Sequence, residues 1–264
     1  MAQPPKTTAS PNATAAQVSS DAPVHVQAPF QSEEMRTRDG SSTLFHPLYA
    51  QTYHSHHGAI TESKHVFLDH GELAARLQQG PVRLLEIGIG TGLNLILSAT
   101  LAQRMNREMH YVGIEQFPPS KAALLNLGYD QDPDVDATLW QECVEGFDQR
   151  APQWKIHAPN DGPTSSITCH WGRFEDIELP AQHFDLVYHD AFSPDVNPEC
   201  WTPDALTKIV RSMAPGASLV TYTVQGDVRR ALAACGLEVE RLPGPTNGKK
   251  QVLRARKSTV ASNT

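Results

Sequence analysis

Strand-length apolar runs alternate with helical stretches along most of the chain. Val82–Ile87 (VRLLEI) follows Pro81, which ends a helical stretch, and reads as a buried strand. Gly88–Gly92 make a tight loop, and LNLILSATLAQRM continues with the periodicity of a helix. Met109–Glu115 (MHYVGIE) predicts a second strand, and SKAALLNL a helix with Pro118 and Pro119 near its start. SITCHW (166–171), FDLVYHD (184–190) and SLVTYT predict a third, fourth and fifth strand. Between the last two, Thr202–Met213 predicts a helix capped by Thr202, with Pro203 at its first position. Asp227–Cys235 predicts another, ended by Gly236. LEVERL and QVLRAR, joined by the turn-rich PGPTNG, predict a terminal hairpin. Strands alternating with helices build a parallel sheet covered on both faces. The expected fold is α/β and Rossmann-like: a mostly parallel seven-stranded sheet, a C-terminal antiparallel hairpin and a small N-terminal extension.

The flanks differ from this pattern. Residues 1–29 are rich in Ala, Pro, Ser, Thr and Gln and nearly lack large apolar side chains, so they cannot offset chain entropy by burial. A disordered tail is expected over 1–35, an extension over 36–80, the α/β domain over 81–257 and a second disordered tail over 258–264. Asp130–Asp148 holds seven acids and no Lys or Arg, and reads as a long connection. The apolar runs are strand-length, so no membrane span is expected. The N-terminus has no apolar core of a signal peptide and no arginine-rich transit pattern. Four cysteines without a CxxC pair point to reduced thiols and a cytoplasmic location. The net charge of −7 does not by itself suggest a nucleic-acid partner. From Asp227 onward, however, three acids face eight basic residues, a distribution that attracts phosphate.

The segment Glu86-Ile87-Gly88-Ile89-Gly90-Thr91-Gly92 lies directly between the first strand and its helix. Glycines there allow positive φ and let the backbone approach a ligand at the strand's carboxyl end. The dinucleotide pattern GxGxxG would need a small residue at 93, where this chain has Leu93. The GxGxG spacing suits S-adenosylmethionine, which has no pyrophosphate to seat. Glu115 ends the second strand, 23 positions after Gly92, where a carboxylate accepts both ribose hydroxyls. Glu86 lies near the expected place of the methionine ammonium. A glycine loop alone is a weak signal, and an ordinary strand–turn–helix is the alternative. Loop, acid and context together favour the cofactor site.

The fourth strand runs into Asp190-Ala191-Phe192-Ser193-Pro194, at the end of the sheet where α/β active sites lie. Methyl transfer needs a neutral nucleophile. The chain lacks the Asn/Asp-Pro-Pro-Tyr/Phe segment that often serves planar base nitrogens. A free carboxylate suits an alkyl amine, whose lone pair it orients and whose developing charge it stabilises. An unperturbed Asp pKa of about 3.9 makes full proton abstraction difficult, so Asp190 is assigned mainly orientation and charge stabilisation. Phe192 and Trp201 are candidates to stack on a substrate base, with a core role equally open for Trp201.

Taken together, these segments resemble the tRNA methyltransferase family that converts wobble 5-aminomethyl-2-thiouridine to 5-methylaminomethyl-2-thiouridine, the MnmC methyltransferase domain and its MnmD-like relatives. The resemblance runs from about Asp39 to Arg256, strongest in DAFSPDVNPECWT (190–202), TYTVQGDVRRALAACGLEV (221–239) and GKKQVLRA (248–255). It implies a class I S-adenosylmethionine-dependent methyltransferase in which Gly88, Gly90, Gly92 and Glu115 hold the cofactor and Asp190 lies beside its methyl group. Tyr53, Glu62 and Ser63, within YHSHHGAITESKHVFL, match a cofactor-covering region. The tRNA anticodon loop is the implied partner, with phosphates met by Arg229, Arg230, Lys249, Lys250 and Arg254. Where the family often shows Gly-Asp after the third strand, this chain has Gly172-Arg173, leaving Glu175 or Asp176 near the adenine. Many family members also carry an FAD-dependent oxidase domain. A chain of 264 residues is expected to hold the methyltransferase half alone, with neither FAD nor metal.

Two other classes fit part of the pattern. An aminopropyltransferase or another small-amine N-methyltransferase would use the same sheet and a related cofactor. A non-enzymatic metal or RNA binder would draw on the six of 12 histidines between His46 and His70, although no cysteine lies nearby to complete a zinc site. Nothing in the sequence sets the oligomeric state.

Overall fold

The computed structural model describes residues 32–157, 162–246 and 248–259. Most of the N-terminal tail, and residues 260–264 of the C-terminal one, lie outside them. The described part opens with a small antiparallel sheet of β1 (Glu33–Arg36), β2 (Ser42–His46) and β3 (Gln51–Thr52). Its first strand therefore begins inside the segment assigned to the tail. Helix α1 (Ala59–Ser63) runs on as a π-helical turn (Lys64–Asp69) and is followed by α2 (Leu73–Gln79).

The α/β unit then runs β4 (Val82–Ile87), α3 (Leu93–Arg104), β5 (Met109–Glu115), α4 (Lys121–Asn126), α5 (Ala137–Asp148), β6 (Gln153–His157) and β7 (Thr164–Trp171). It continues with β8 (Phe184–His189), α6 (Pro203–Ser212), β9 (Met213–Thr221), α7 (Gly226–Ala234), β10 (Glu238–Pro243) and β11 (Gln251–Arg256). Among the described residues the large sheet has eight strands in the order β10-β11-β9-β8-β4-β5-β7-β6. The five inner strands are parallel, while β11 and β6 join antiparallel at the two sides. The fold is the expected Rossmann-like one.

Two elements of it were hidden in the sequence. The acid-rich run contains α5, whose Leu139, Trp140, Cys143, Val144 and Phe147 are buried while its acids face water. Asp136 starts that helix by accepting from the Leu139 N–H at 3.0 Å. Strand β6, the eighth, is an edge strand with Ile156 buried and mostly exposed neighbours, so its alternation is faint. Among the described residues no helix is long and apolar enough to cross a membrane.

Side chains alternate across β4. Leu84 packs into the core under α3 and α5, and Leu85 and Ile87 pack into the second core under α6 and α7. In the neighbouring strand, Gly113 leaves room for Ile89 of the glycine loop. A Cβ at Gly113 would lie 2.5 Å from Ile89 Cδ1 and 2.7 Å from the Tyr111 ring. Gly113→Ala is therefore expected to destabilise by about 1–3 kcal/mol through overpacking. Combining it with Ile89→Ala should cost less than the two single changes added together. Denaturant melts of the three variants check this, and simple additivity would contradict the proposed clash.

Candidate active site

Strand β4 pairs with β5 on one side and β8 on the other, so the winding of the sheet reverses between β4 and β8. A crevice opens outside the carboxyl ends of strands at such a point. Ile87 and His189 stand opposite each other there, and the Asp190 N–H donates to the Ile87 carbonyl at 2.9 Å. A cleft of about 1010 Å³ occupies the place, floored by Gly88, Gly90, Glu115 and Asp190.

Gly88 has φ +86°, and a Cβ on it would stand 2.8 Å from the Asp190 carbonyl oxygen and 2.9 Å from Ala191 N. Gly90 has φ +57°, and its Cβ would strike the Tyr53 ring at 2.7 Å. Both positions combine a left-handed backbone with a contact that leaves no space for a side chain. Gly92 has a different place. It caps α3 against Phe147 and does not line the cleft.

Glu115 is nearly buried, with Oε2 accepting from the Gly90 N–H at 2.8 Å and Oε1 from the Phe117 N–H at 2.7 Å. Each oxygen keeps a further acceptor site for a ribose hydroxyl. Burial holds this carboxyl above its usual range, and the two N–H groups pull it partly back. Glu86 differs from expectation. Strand alternation turns it away from the cleft into the α3 side of the core, where it is 0% exposed. There Oε1 accepts from Asn94 Nδ2 at 2.8 Å and Oε2 from the Tyr111 hydroxyl. Burial pushes its carboxyl up to about 8.

Asn94 also donates from Nδ2 to Asp190 Oδ2 at 2.9 Å, linking the buried acid to the cleft acid. Burial, with Glu86 and Glu62 pushing the same way, holds Asp190 well above the usual carboxylate range; Asn94 and Lys249 draw it down. The expectation rested on an unperturbed carboxyl; the raised range adds weight to the proton-accepting part of the role beside orientation and charge stabilisation.

The N-terminal extension closes over the cleft. Tyr53 lies against Gly90, and Glu62 and Ser63 line the wall. Glu62 accepts from the Ser55 N–H at 2.8 Å. Gln51 grips Ser193 of the reactive loop, its Nε2 donating to Oγ at 2.8 Å. Phe192 enters an aromatic group, 4.6 Å from Tyr49 and 5.1 Å from Tyr53 between ring centroids. Trp201 does not reach the cleft. It is 6% exposed, stacks on His189 at 3.9 Å and donates from Nε1 to the Phe192 carbonyl at 2.7 Å, so it is core.

The basic residues divide. Lys249 lines the cleft, whereas Lys250 is exposed outside it. Arg229 is half-buried on α7, and Arg230 is exposed and paired with Asp227. Arg254 is 14% exposed in its side chain and bound to Glu72 and Glu240, which removes it from phosphate binding. Glu175 lines the cleft and pairs with Arg173 at 2.8 Å, whereas Asp176 lies outside the lining. Sequence reasoning missed Asn94, Gln51 and Tyr222. A polar side chain on the otherwise apolar first turn LNLIL was the available signal for Asn94. Tyr222 was hidden because the fifth strand was drawn through it, whereas β9 ends at Thr221.

Three features fit S-adenosylmethionine. The glycine cradle has no room for Cβ atoms, Glu115 presents acceptor positions beside it, and the buried Ser63 Oγ in the cleft wall has no hydrogen-bond partner among the described residues. Glu115→Ala is expected to weaken S-adenosylmethionine binding by about 1–3 kcal/mol in calorimetry; unchanged affinity would remove Glu115 from the site. Glu86 supplies a second test. Its folded value of about 8, above the ordinary 4.5, means its contribution to stability is complete below pH 4.5 and is lost as pH rises towards 8. Glu86→Gln should therefore show a shallower fall in stability over that range than the wild type. Parallel stability–pH curves would contradict the buried-acid assignment.

A family model described as S-adenosyl-L-methionine-dependent methyltransferase matches residues 162–258. The tRNA 5-methylaminomethyl-2-thiouridine biosynthesis bifunctional protein MnmC of Ectopseudomonas mendocina is 32% identical over 210 residues, covering 74% of this chain and 31% of that protein. The MnmC of Aromatoleum aromaticum is 33% identical over 221 residues, covering 81% and 34%. This chain thus spans about a third of the length of these relatives. The crystal structure of MNMC2 from Aquifex aeolicus matches with a TM-score of 0.67 and 25% identity, over 90% of this chain and 73% of that one. With this fold and this cleft, the chain belongs to the MnmC methyltransferase-domain family of S-adenosyl-L-methionine-dependent methyltransferases.

Proposed function

We propose that the chain methylates the aminomethyl nitrogen of wobble 5-aminomethyl-2-thiouridine in tRNA, giving 5-methylaminomethyl-2-thiouridine, in the cytoplasm and without flavin or metal. The observation that carries this reading is Asp190, a half-buried carboxylate of raised basicity held by Asn94 on the cleft floor beside Gly88. An alkyl amine is the acceptor that such a group serves best. The product is the one that names the MnmC relatives.

S-adenosylmethionine, when bound, supplies a methyl group on a positively charged sulfur to the acceptor's lone pair. Glu115 holds the ribose, and Tyr53, Glu62 and Ser63 of the 36–80 extension cover the cofactor. Asp190 orients the amine and takes the proton that nitrogen releases as its new bond to carbon forms. Phe192 stacks on the flipped base, which is accessible because the anticodon loop is single-stranded. Arg229, Arg230 and Lys250 meet the phosphates. Gln225, just before α7, donates to Asp195 at 3.3 Å and so ties that helix to the reactive loop.

The acids of 130–148 that an aminopropyltransferase channel would use supply no cleft-lining side chain. Of the histidines a metal binder would use, His65 and His70 both donate from Nε2 to the Pro243 carbonyl at 2.9 Å. Among the described residues no three His, Cys, Asp or Glu side chains converge as metal ligands.

The test supplies tRNA bearing the aminomethyl group and labelled S-adenosylmethionine, in EDTA and without flavin. Mass spectrometry of the nucleosides should show 5-methylaminomethyl-2-thiouridine. Asp190→Ala should lower kcat by about 10²–10⁴-fold while cofactor affinity is kept. Absence of methylation by the wild type would overturn the assignment; a fully active Asp190→Ala variant would overturn the mechanism.

A further inference from the structure

The hairpin turn between β10 and β11 reaches back over the active site. Gly244 N–H donates to the Lys250 carbonyl at 2.9 Å, and Gly248 N–H to the Pro245 carbonyl at 3.0 Å, so the turn is closed on itself. Its Lys249 is an exposed residue whose ammonium lies 3.7 Å from the centroid of the Tyr222 ring. At that distance the ring face holds a cation. Tyr222 is itself fixed, its hydroxyl donating to the Ala191 carbonyl at 2.9 Å, one residue from Asp190.

We propose that Lys249 is a charge-setting residue of the acceptor pocket, which keeps Asp190 ionised and the acceptor amine neutral, rather than a phosphate contact on the tRNA-binding rim. This rests on the amine-acceptor reading above. The ammonium sits on the ring of Tyr222, from the end of β9, and shares the cleft with two acids whose charge acts on it, Glu62 from α1 and Asp190 from the end of β8. Glu86 stands behind Asp190, His57 acts on Glu62, Asp195 acts on Tyr222, and Lys250 shares the turn.

The chemistry follows from sign. An amine that arrives as an ammonium has no lone pair to donate, and the carboxylates around it favour that protonated form. A cation placed among them favours loss of a proton from every neighbour. Lys249 draws both Glu62 and Asp190 down while burial pushes them up. The ammonium is in turn drawn below its ordinary range by burial. A lysine positioned only for phosphate would have no reason to sit on the Tyr222 ring inside the cleft.

The test is the pH profile of methyl transfer to aminomethyl-bearing tRNA for the wild type, Lys249→Met and Lys249→Arg. Methionine keeps an unbranched apolar stem on Tyr222 and removes the charge; arginine keeps the charge. In kcat/KM the rising limb reports the free enzyme and substrate, and in kcat it reports the bound complex. Both midpoints should move up by about one pH unit or more in Lys249→Met and stay near the wild type in Lys249→Arg. An unmoved midpoint in Lys249→Met, with a salt-dependent rise in KM at every pH, would make Lys249 a phosphate contact and overturn the proposal. A wild type that leaves the amine unmethylated would instead overturn the acceptor reading, and this inference with it.

Discussion

The contact at Gly88 governs the site. Two parallel strands end side by side, and the chain leaving each must turn without colliding with the other. With Cβ positions 2.8 Å from one backbone atom and 2.9 Å from the next, no side chain fits at 88. That close approach puts the cofactor loop and Asp190 within one layer of backbone. The proposed positions of binding and chemistry are adjacent because the sheet reverses there, and the rest of the architecture supports that juncture. Ile89 is seated by Gly113, Gly90 is held by Glu115, and Asp190 is tied to Ile87.

Around this juncture the protein concentrates acids in a poorly hydrated space. Glu62, Glu86, Glu115 and Asp190 are all held above their ordinary range, and burial is the largest cause for each. Such a cluster persists because each member has donors: Ser55 for Glu62, Asn94 and Tyr111 for Glu86, Gly90 and Phe117 for Glu115, and Asn94 for Asp190. Hydrogen bonds to charged groups are worth more than neutral ones, and their loss in a buried place costs more. A roof of β1–β3 and α1 lines the cleft over the cluster. It is itself pinned by Asp39, which accepts from Ser41 Oγ at 2.6 Å and from Thr61 Oγ1 at 2.9 Å.

Much of this was legible in the sequence, and the rest was not for identifiable reasons. Strands such as Val82–Ile87 and Met109–Glu115 are apolar and end at glycine or acid, so pattern and placement agree. Helix α5 was obscured because its acids dominate composition while its buried stripe recurs only at helical spacing. Edge strand β6 has too little burial to alternate clearly. That Gly88, Gly90, Glu115 and Asp190 lie together at the cleft was legible because strand ends are fixed by topology. Glu86, Trp201, Arg254 and Lys249 were not, because each depends on which way a side chain turns. Residue type suggested ligand, stack or core, phosphate and phosphate; packing made them buried acid, core ring, ion-pair partner and cleft cation.

Asn94 has one further consequence. It uses its amide group to serve two acids at once, and its Oδ1 is buried with no hydrogen-bond partner among the described residues. Turning the amide over would set that oxygen against two carboxyls, so the group is locked in one orientation. Glu86 and Asp190 then share a donor as well as a mutual repulsion, and a proton gained by either relieves the other. A substitution that removes the Asn94 amide therefore strips a donor from the buried acid and from the cleft acid in one step.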